Sequence, residues 1–170
     1  MRFSVLALIA GMALSACGSG TTTPALGTDG KPLPRANNIT SRDANKIPFR
    51  MLDSVNVVRG SNGRNPVVFN AQLNAAAATH SRDMAIQNRP WHFGSDGSNP
   101  IQRVQRAGYT GAMLSENLSE TFENDTETLD AWMRDPVTRT GILHPNARNI
   151  GFSWHQESNG KIWWVQVIGS

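Results

Sequence analysis

Among the side chains of this 170-residue sequence that can pass protons or hold metal ions, six stand out by their place in the chain: His80, His92, Glu116, Asp135, His144 and His155. Each sits beside a turn signal or near the end of a candidate element. An imidazole oriented by a carboxylate relays protons near neutral pH, and imidazoles with carboxylates ligate divalent cations. The more demanding signatures are missing: there is no Gly-x-Ser-x-Gly elbow, no His-Glu-x-x-His, no phosphate-binding glycine loop and no dinucleotide fingerprint. Cys17 is the sole cysteine, so nothing in the chain forms an internal disulfide.

The elements that must position these residues follow from hydrophobic spacing. Ile47, Met51, Leu52, Val55 and Val58 recur at helical spacing, with Gly60 and Gly63 as the stop. Asn70 is the cap of a second helix whose stripe is Leu73, Ala76, Ala77, His80 and Met84, and Asn88-Arg89-Pro90 ends it. Pro100 to Ala107 reads as a third, shorter helix. About Asp125 to Arg134 reads as a fourth, closed by Pro136. Ile150 to His155 and Lys161 to Ile168 are rich in β-branched and aromatic residues and flank Asn159-Gly160, which marks a hairpin. Met113 to Ser119 can add a third extended segment, giving a small antiparallel sheet with helices packed on it, an α+β domain. Alternation places Trp163 and Trp164 on opposite faces of their strand.

Charge excludes one class of partner. The pI of 9.6 comes from the leader and the segment after it, because residues 49–170 carry 11 basic and 11 acidic side chains. With no Lys/Arg run, no nucleic-acid partner is expected. On the stripe of the second helix, His80 reads as a core histidine with its ring satisfied. His144 and His155 have no partner at ligand spacing and read as surface residues. For His92, Glu116 and Asp135 the residues leave two readings open: members of a site, or respectively a hydrogen-bonded structural histidine, a buried acid holding loop amides and a helix-end acid.

An ordered series runs along the chain: His80-Ser81-Arg82-Asp83-Met84, Trp91-His92-Phe93, Asp96-Gly97, Ala107-Gly108-Tyr109, Ser115-Glu116-Asn117-Leu118, Trp132, Ile142-Leu143, Ile150-Gly151-Phe152 and Trp164-Val165-Gln166. This series resembles bacterial members of the CAP superfamily, the SCP-like extracellular domains, over about residues 48 to 170. The resemblance implies an α-β-α sandwich with a central cavity lined by two histidines and two acids that in some members bind a divalent metal. His92 matches the first histidine. Glu116 matches the acid of the Gly-Glu-Asn motif, with Ser115 in place of glycine, and Asn117 falls beside it in the cleft. Asp135 stands where many eukaryotic members carry the second glutamate, an acid of shorter reach in its place. At the second histidine this chain has Trp163, and Thr138 stands where many bacterial members have another. The tetrad is therefore incomplete. His92 and Glu116 are the ligands that remain for a metal such as zinc, and a site with one imidazole binds it more weakly than one with two. No other cofactor is implied.

Residues 1–16 have a short charged start, an apolar stretch and a small-residue exit, too short to span a bilayer. Leu14-Ser15-Ala16-Cys17 resembles a bacterial lipobox, making Cys17 the acylated first residue of the mature chain and the membrane its first partner. Gly18 at the next position resembles outer-membrane sorting if the host is Gram-negative. Residues 17–46 read as a polar tether, and residues 47–170 as the folded domain. The functional expectation is an envelope-anchored, non-enzymatic binding module for a lipid, glycan or protein ligand. The competing expectation is a peptide- or glycan-directed hydrolase that uses His92 and Glu116 with a metal or water. Replacing Cys17 by Ala is expected to move the protein from the membrane pellet to the soluble fraction, with loss of incorporated labelled fatty acid; retention of label in the variant would contradict acylation there.

Overall fold

The computed structural model describes residues 37–121 and 123–170. The leader, Cys17 and the tether up to residue 36 lie outside the described residues. In chain order the elements are α1 (Ser41–Ala44), α2 (Ile47–Ser61), β1 (Val68–Phe69), α3 (Ala71–Gln87), α4 (Pro100–Arg106), β2 (Met113–Thr121), α5 (Asp125–Arg134), α6 (Pro136–Ile142), β3 (Asn149–Gln156) and β4 (Ile162–Gly169). Local chemistry starts most of the helices. Asn70, Asn99 and Asn124 cap α3, α4 and α5, each side chain accepting from backbone amides of the first turn. Asn88, at φ 48°, ends α3 in the left-handed region that asparagine tolerates better than most residues.

The four strands lie in the order β1-β3-β4-β2. The hairpin β3–β4 is antiparallel, as the Asn159-Gly160 turn requires, and so is the pair β2–β4. Two-residue β1 adds a parallel pair to β3 that the sequence pattern did not mark. Every residue of β4 is buried, because helices cover both faces of the sheet and make three layers. Ile162, Trp164 and Ile168 enter one apolar cluster with Met51, Val55, Leu129 and Trp132 of α2 and α5. Trp163, Val165 and Val167 enter the other with Leu73, Ala76, Ala77 and Met84 of α3 and Val104 of α4. The expected alternation of the adjacent tryptophans thus divides the two halves of the core. Truncating either fully buried indole to alanine would cost about 3–5 kcal/mol.

α3 rests directly on β3 at Gly151, where an added Cβ would stand 2.2 Å from the Leu73 carbonyl carbon. A glycine is needed there for close approach of two backbones.

Several features depart from the sequence reading. The fourth helix ends at Arg134 as expected, but Pro136 also opens a further helix, α6, that the sequence pattern did not mark; its fixed φ and missing N–H suit the first turn. The buried stripe of α2 passes through Ile47, Met51, Val55 and Arg59 rather than Val58. Arg59 is fully buried and donates to the carbonyls of Asn65, Ile142 and His144. Residues 37–46, read above as the end of the tether, lie against the domain: the Gln156 side chain accepts from the Ile39 amide and donates to the Asn37 carbonyl, and Ile39 packs on the core.

Gly151→Ala is expected to destabilise the domain by about 1–3 kcal/mol in urea unfolding, since α3 must shift off the sheet. Gly60, in α2 with nothing within 4 Å of an added Cβ, is the contrasting site: Gly60→Ala is expected to stabilise by about 0.4–1 kcal/mol. Equal effects of the two substitutions would contradict this packing.

Candidate functional site

Glu116 owes its position to an irregularity in β2. The register against β4 shifts between Met113 and Ser115, so Leu114 and Ser115 both turn toward the α5–α6 side and the pleat resumes with Glu116 opposite Val167, on the α3–α4 side. There the Glu116 side chain is 3% exposed. A buried carboxylate needs partners, and three arrive from other segments.

Arg103 of α4, 7% exposed, donates through Nη2 to both carboxylate oxygens at 2.8 and 2.7 Å. His92, in the loop after α3, approaches Oε1 through Nδ1 at 2.9 Å with its ring 55% exposed. His80 of α3 brings Nε2 to 3.9 Å from the same oxygen. Through Nη1, Arg103 also donates to the carbonyls of His92 and Ser98 at 2.7 and 3.0 Å, fastening the loop that carries His92. The rest of that loop is held by Asp83, which accepts from the Ser95 amide and hydroxyl, and by Asp96. Hydrogen bonds from Ser98, reinforced by Arg106, hold the Asp96 carboxyl well below the usual carboxylate range.

His80 is fully enclosed. Its Nε2 lies 3.0 Å from the Trp91 carbonyl, which can only accept, so the proton belongs on Nε2; Nδ1 has no partner among the described residues. Burial pushes the imidazole below its ordinary value of 6.5, against the opposing pull of Glu116. The sequence reading of a core histidine is right about burial and half right about satisfaction.

Two of the expected site residues therefore meet, and the others do not. His92 and Glu116, 24 residues apart, share a hydrogen bond. Asp135 is exposed and caps α6, its carboxylate accepting from the Val137 amide. Asn117, expected in the cleft, points to the opposite side of the sheet because neighbours in a strand alternate; there it donates to Gln166 and to the Thr138 carbonyl. Trp163 shares the sheet face of Glu116 but is fully buried, with its indole N–H on Glu157 and its ring in the α3-side core, not on a cleft surface. Arg103 was missed. Its only sequence signal is a charge next to Val104 on the inner side of a seven-residue helix that must dock.

Beside this cluster a cavity of about 440 Å³ opens between α3, α4 and the 95–98 turn, lined among others by Ala76, Thr79, His80, Asp83, Arg103 and Arg106. It shares Arg103 and His80 with the cluster, while Glu116 and His92 are not in its wall.

The residues do not fit a metal. No group of three His, Cys, Asp or Glu side chains is placed to hold an ion among the described residues. The carboxylate oxygens that would bind one already face a guanidinium.

A family model for CAP, the cysteine-rich secretory protein family, matches residues 52–168. The chain belongs to this family. Among solved structures, this CAP domain is similar to an outer surface protein of Borrelia burgdorferi (TM-score 0.69, 15% identity, covering 75% of this chain and 95% of that one). It is also similar to an extracellular SCP-domain protein of Bacillus anthracis (TM-score 0.69, 18% identity, 78% and 44% coverage). A cysteine-rich secretory protein of Staphylococcus aureus follows (TM-score 0.67, 12% identity, 84% and 44%). The chain spans less than half the length of the last two. At these identities the likeness shows the CAP fold, the α-β-α sandwich, and not an activity. A comparison with curated proteins finds no match.

Because the folded-state value of His80 is lowered, the unfolded chain binds the extra proton. The stability tied to neutral His80 is fully present above the ordinary imidazole value and is lost as pH falls below it. Unfolding free energy is expected to decline from about pH 7 to about pH 5, with a shallower slope in His80→Gln. Parallel slopes for the two proteins would contradict the assignment.

Proposed function

We propose that this CAP domain is an extracytoplasmic binding module of the bacterial cell envelope, tethered through a lipid on Cys17, whose His92–Glu116 pair shapes a cleft rather than performing turnover. One observation carries the reading: Glu116 is buried with both oxygens engaged by Arg103 and Oε1 also by His92. A general base needs a lone pair free for the proton that it removes, and this carboxylate faces charge-assisted donors instead. No Ser or Thr hydroxyl is hydrogen-bonded to His92 among the described residues, so the imidazole has no nucleophile to activate. The adjoining cavity, lined by alanines together with Asp83, Asp96, Arg103 and Arg106, is of a size that takes a small molecule or part of a larger lipid or glycan. The extracellular and surface relatives are consistent with export.

The hydrolase reading keeps one observation in its favour: His92 is half exposed and its Nδ1 is oriented by a carboxylate, which leaves Nε2 as the acceptor of the neutral ring. The two readings separate in one set of measurements. The purified protein is titrated calorimetrically against envelope phospholipids and cell-wall glycans, and incubated with the same glycans and a peptide library. Saturable binding without turnover is expected. Absence of binding to every ligand would count against the module, and turnover abolished by His92→Ala would establish the hydrolase.

A further inference from the structure

We propose that Arg103 is a resident cation that supplies, from within the chain, the positive charge a divalent metal would bring to a histidine–carboxylate cleft, and that it makes this site metal-independent. The guanidinium has the position for this role. It lies against both oxygens of Glu116 at 2.8 and 2.7 Å, on the carboxylate that His92 Nδ1 also approaches at 2.9 Å. It is as enclosed as its partner, 7% against 3% exposed, so little solvent screening weakens the contact.

Arg103 also does what a bridging ion does for geometry. One guanidinium joins β2 through Glu116, the His92 carbonyl and the Ser98 carbonyl, so α4 fixes both the acid and the loop carrying the imidazole. Its planar fork puts one nitrogen on the two loop carbonyls and another on the carboxylate, a span that the single nitrogen of an ammonium does not cover. One donor, Nε, is buried without a partner among the described residues; the acceptors on the other two nitrogens, not full satisfaction, set where the group sits. A second cation at Glu116 would compete for the same oxygens and meet a fixed like charge a few ångströms away. Arg103 is thus a positioning residue, and its role holds whether the cleft binds or turns over its ligand.

Without it, Glu116 would hold an uncompensated buried charge beside the half-exposed His92 imidazole, the two kinds of ligand that take zinc, while His80 Nε2 stays committed to the Trp91 carbonyl. The test uses zinc chloride alone as probe, titrated calorimetrically into the full-length protein in detergent micelles. The isotherms of the parent and of His92→Ala are expected to superimpose. Arg103→Gln is expected to bind zinc at least about 30-fold more tightly than the parent, with the gain lost when His92→Ala is added, whereas Arg103→Lys keeps the charge and stays like the parent. In Arg103→Lys, amide exchange across residues 91–98 is expected to quicken, because one ammonium nitrogen replaces the two that serve the loop carbonyls and the carboxylate separately. Zinc uptake by the parent that disappears in His92→Ala would overturn the proposal, as would a folded Arg103→Gln with no gain. Should Arg103→Gln not fold, the parent, His92→Ala and Arg103→Lys still decide, since zinc uptake at His92 in either Arg103→Lys or the parent contradicts a charge that excludes it.

Discussion

The contact between Arg103 and Glu116 joins three parts of the fold that the chain supplies separately: the second strand, the short α4 helix and the loop after α3. A carboxylate buried to this extent is tolerated only with a paired charge and further hydrogen bonds, and removing one partner of such a pair costs about 3–5 kcal/mol because the other is left uncompensated. The placement of the loop that carries His92 and the charge balance at Glu116 both follow from meeting that requirement. The fold provides the setting: helices on both faces of β4 exclude water from it, so a charge buried there must find its partner inside the protein, whereas the neutral donors Trp164 Nε1 and Gln166 Nε2 have none among the described residues.

The same constraint accounts for the far side of the sheet. Asn117 is as enclosed as Glu116, yet it is neutral, and an amide can be satisfied by another amide and a carbonyl. One strand thus carries a charged pair toward α4 and a neutral pair toward α6. The adjacent residues of a Glu-Asn dipeptide serve different layers, and the phase that sorts them is set by the shift between Met113 and Ser115.

Much of the fold was legible in the sequence because its signals are local. The Asn70 cap, the Asn159-Gly160 hairpin, the alternation at Trp163 and Trp164 and the stripe of α3 need only near neighbours to be read. The ordered motif series likewise located His92 and Glu116 and led to the family. What could not be read was decided by tertiary context. A one-residue bulge in β2 reverses which side chains share a face, and sequence alternation does not reveal it. Asp135 sits at an acid position of the series, but the Pro136 that follows makes it a helix cap. Arg59 and Arg103 look like surface charges on short stretches of sequence, and only the carbonyls and the carboxylate brought to them from elsewhere explain their burial.

The central claim, that a buried ion pair organises this cleft, is tested most directly by a double-mutant cycle on Arg103→Met and Glu116→Gln, read as unfolding free energies in urea at neutral pH. The account predicts a coupling energy of about 2 kcal/mol or more, above the roughly 0–1 kcal/mol found for solvent-exposed pairs. A coupling near zero would mean that the two side chains do not depend on each other, and the cleft would then owe its geometry to something else.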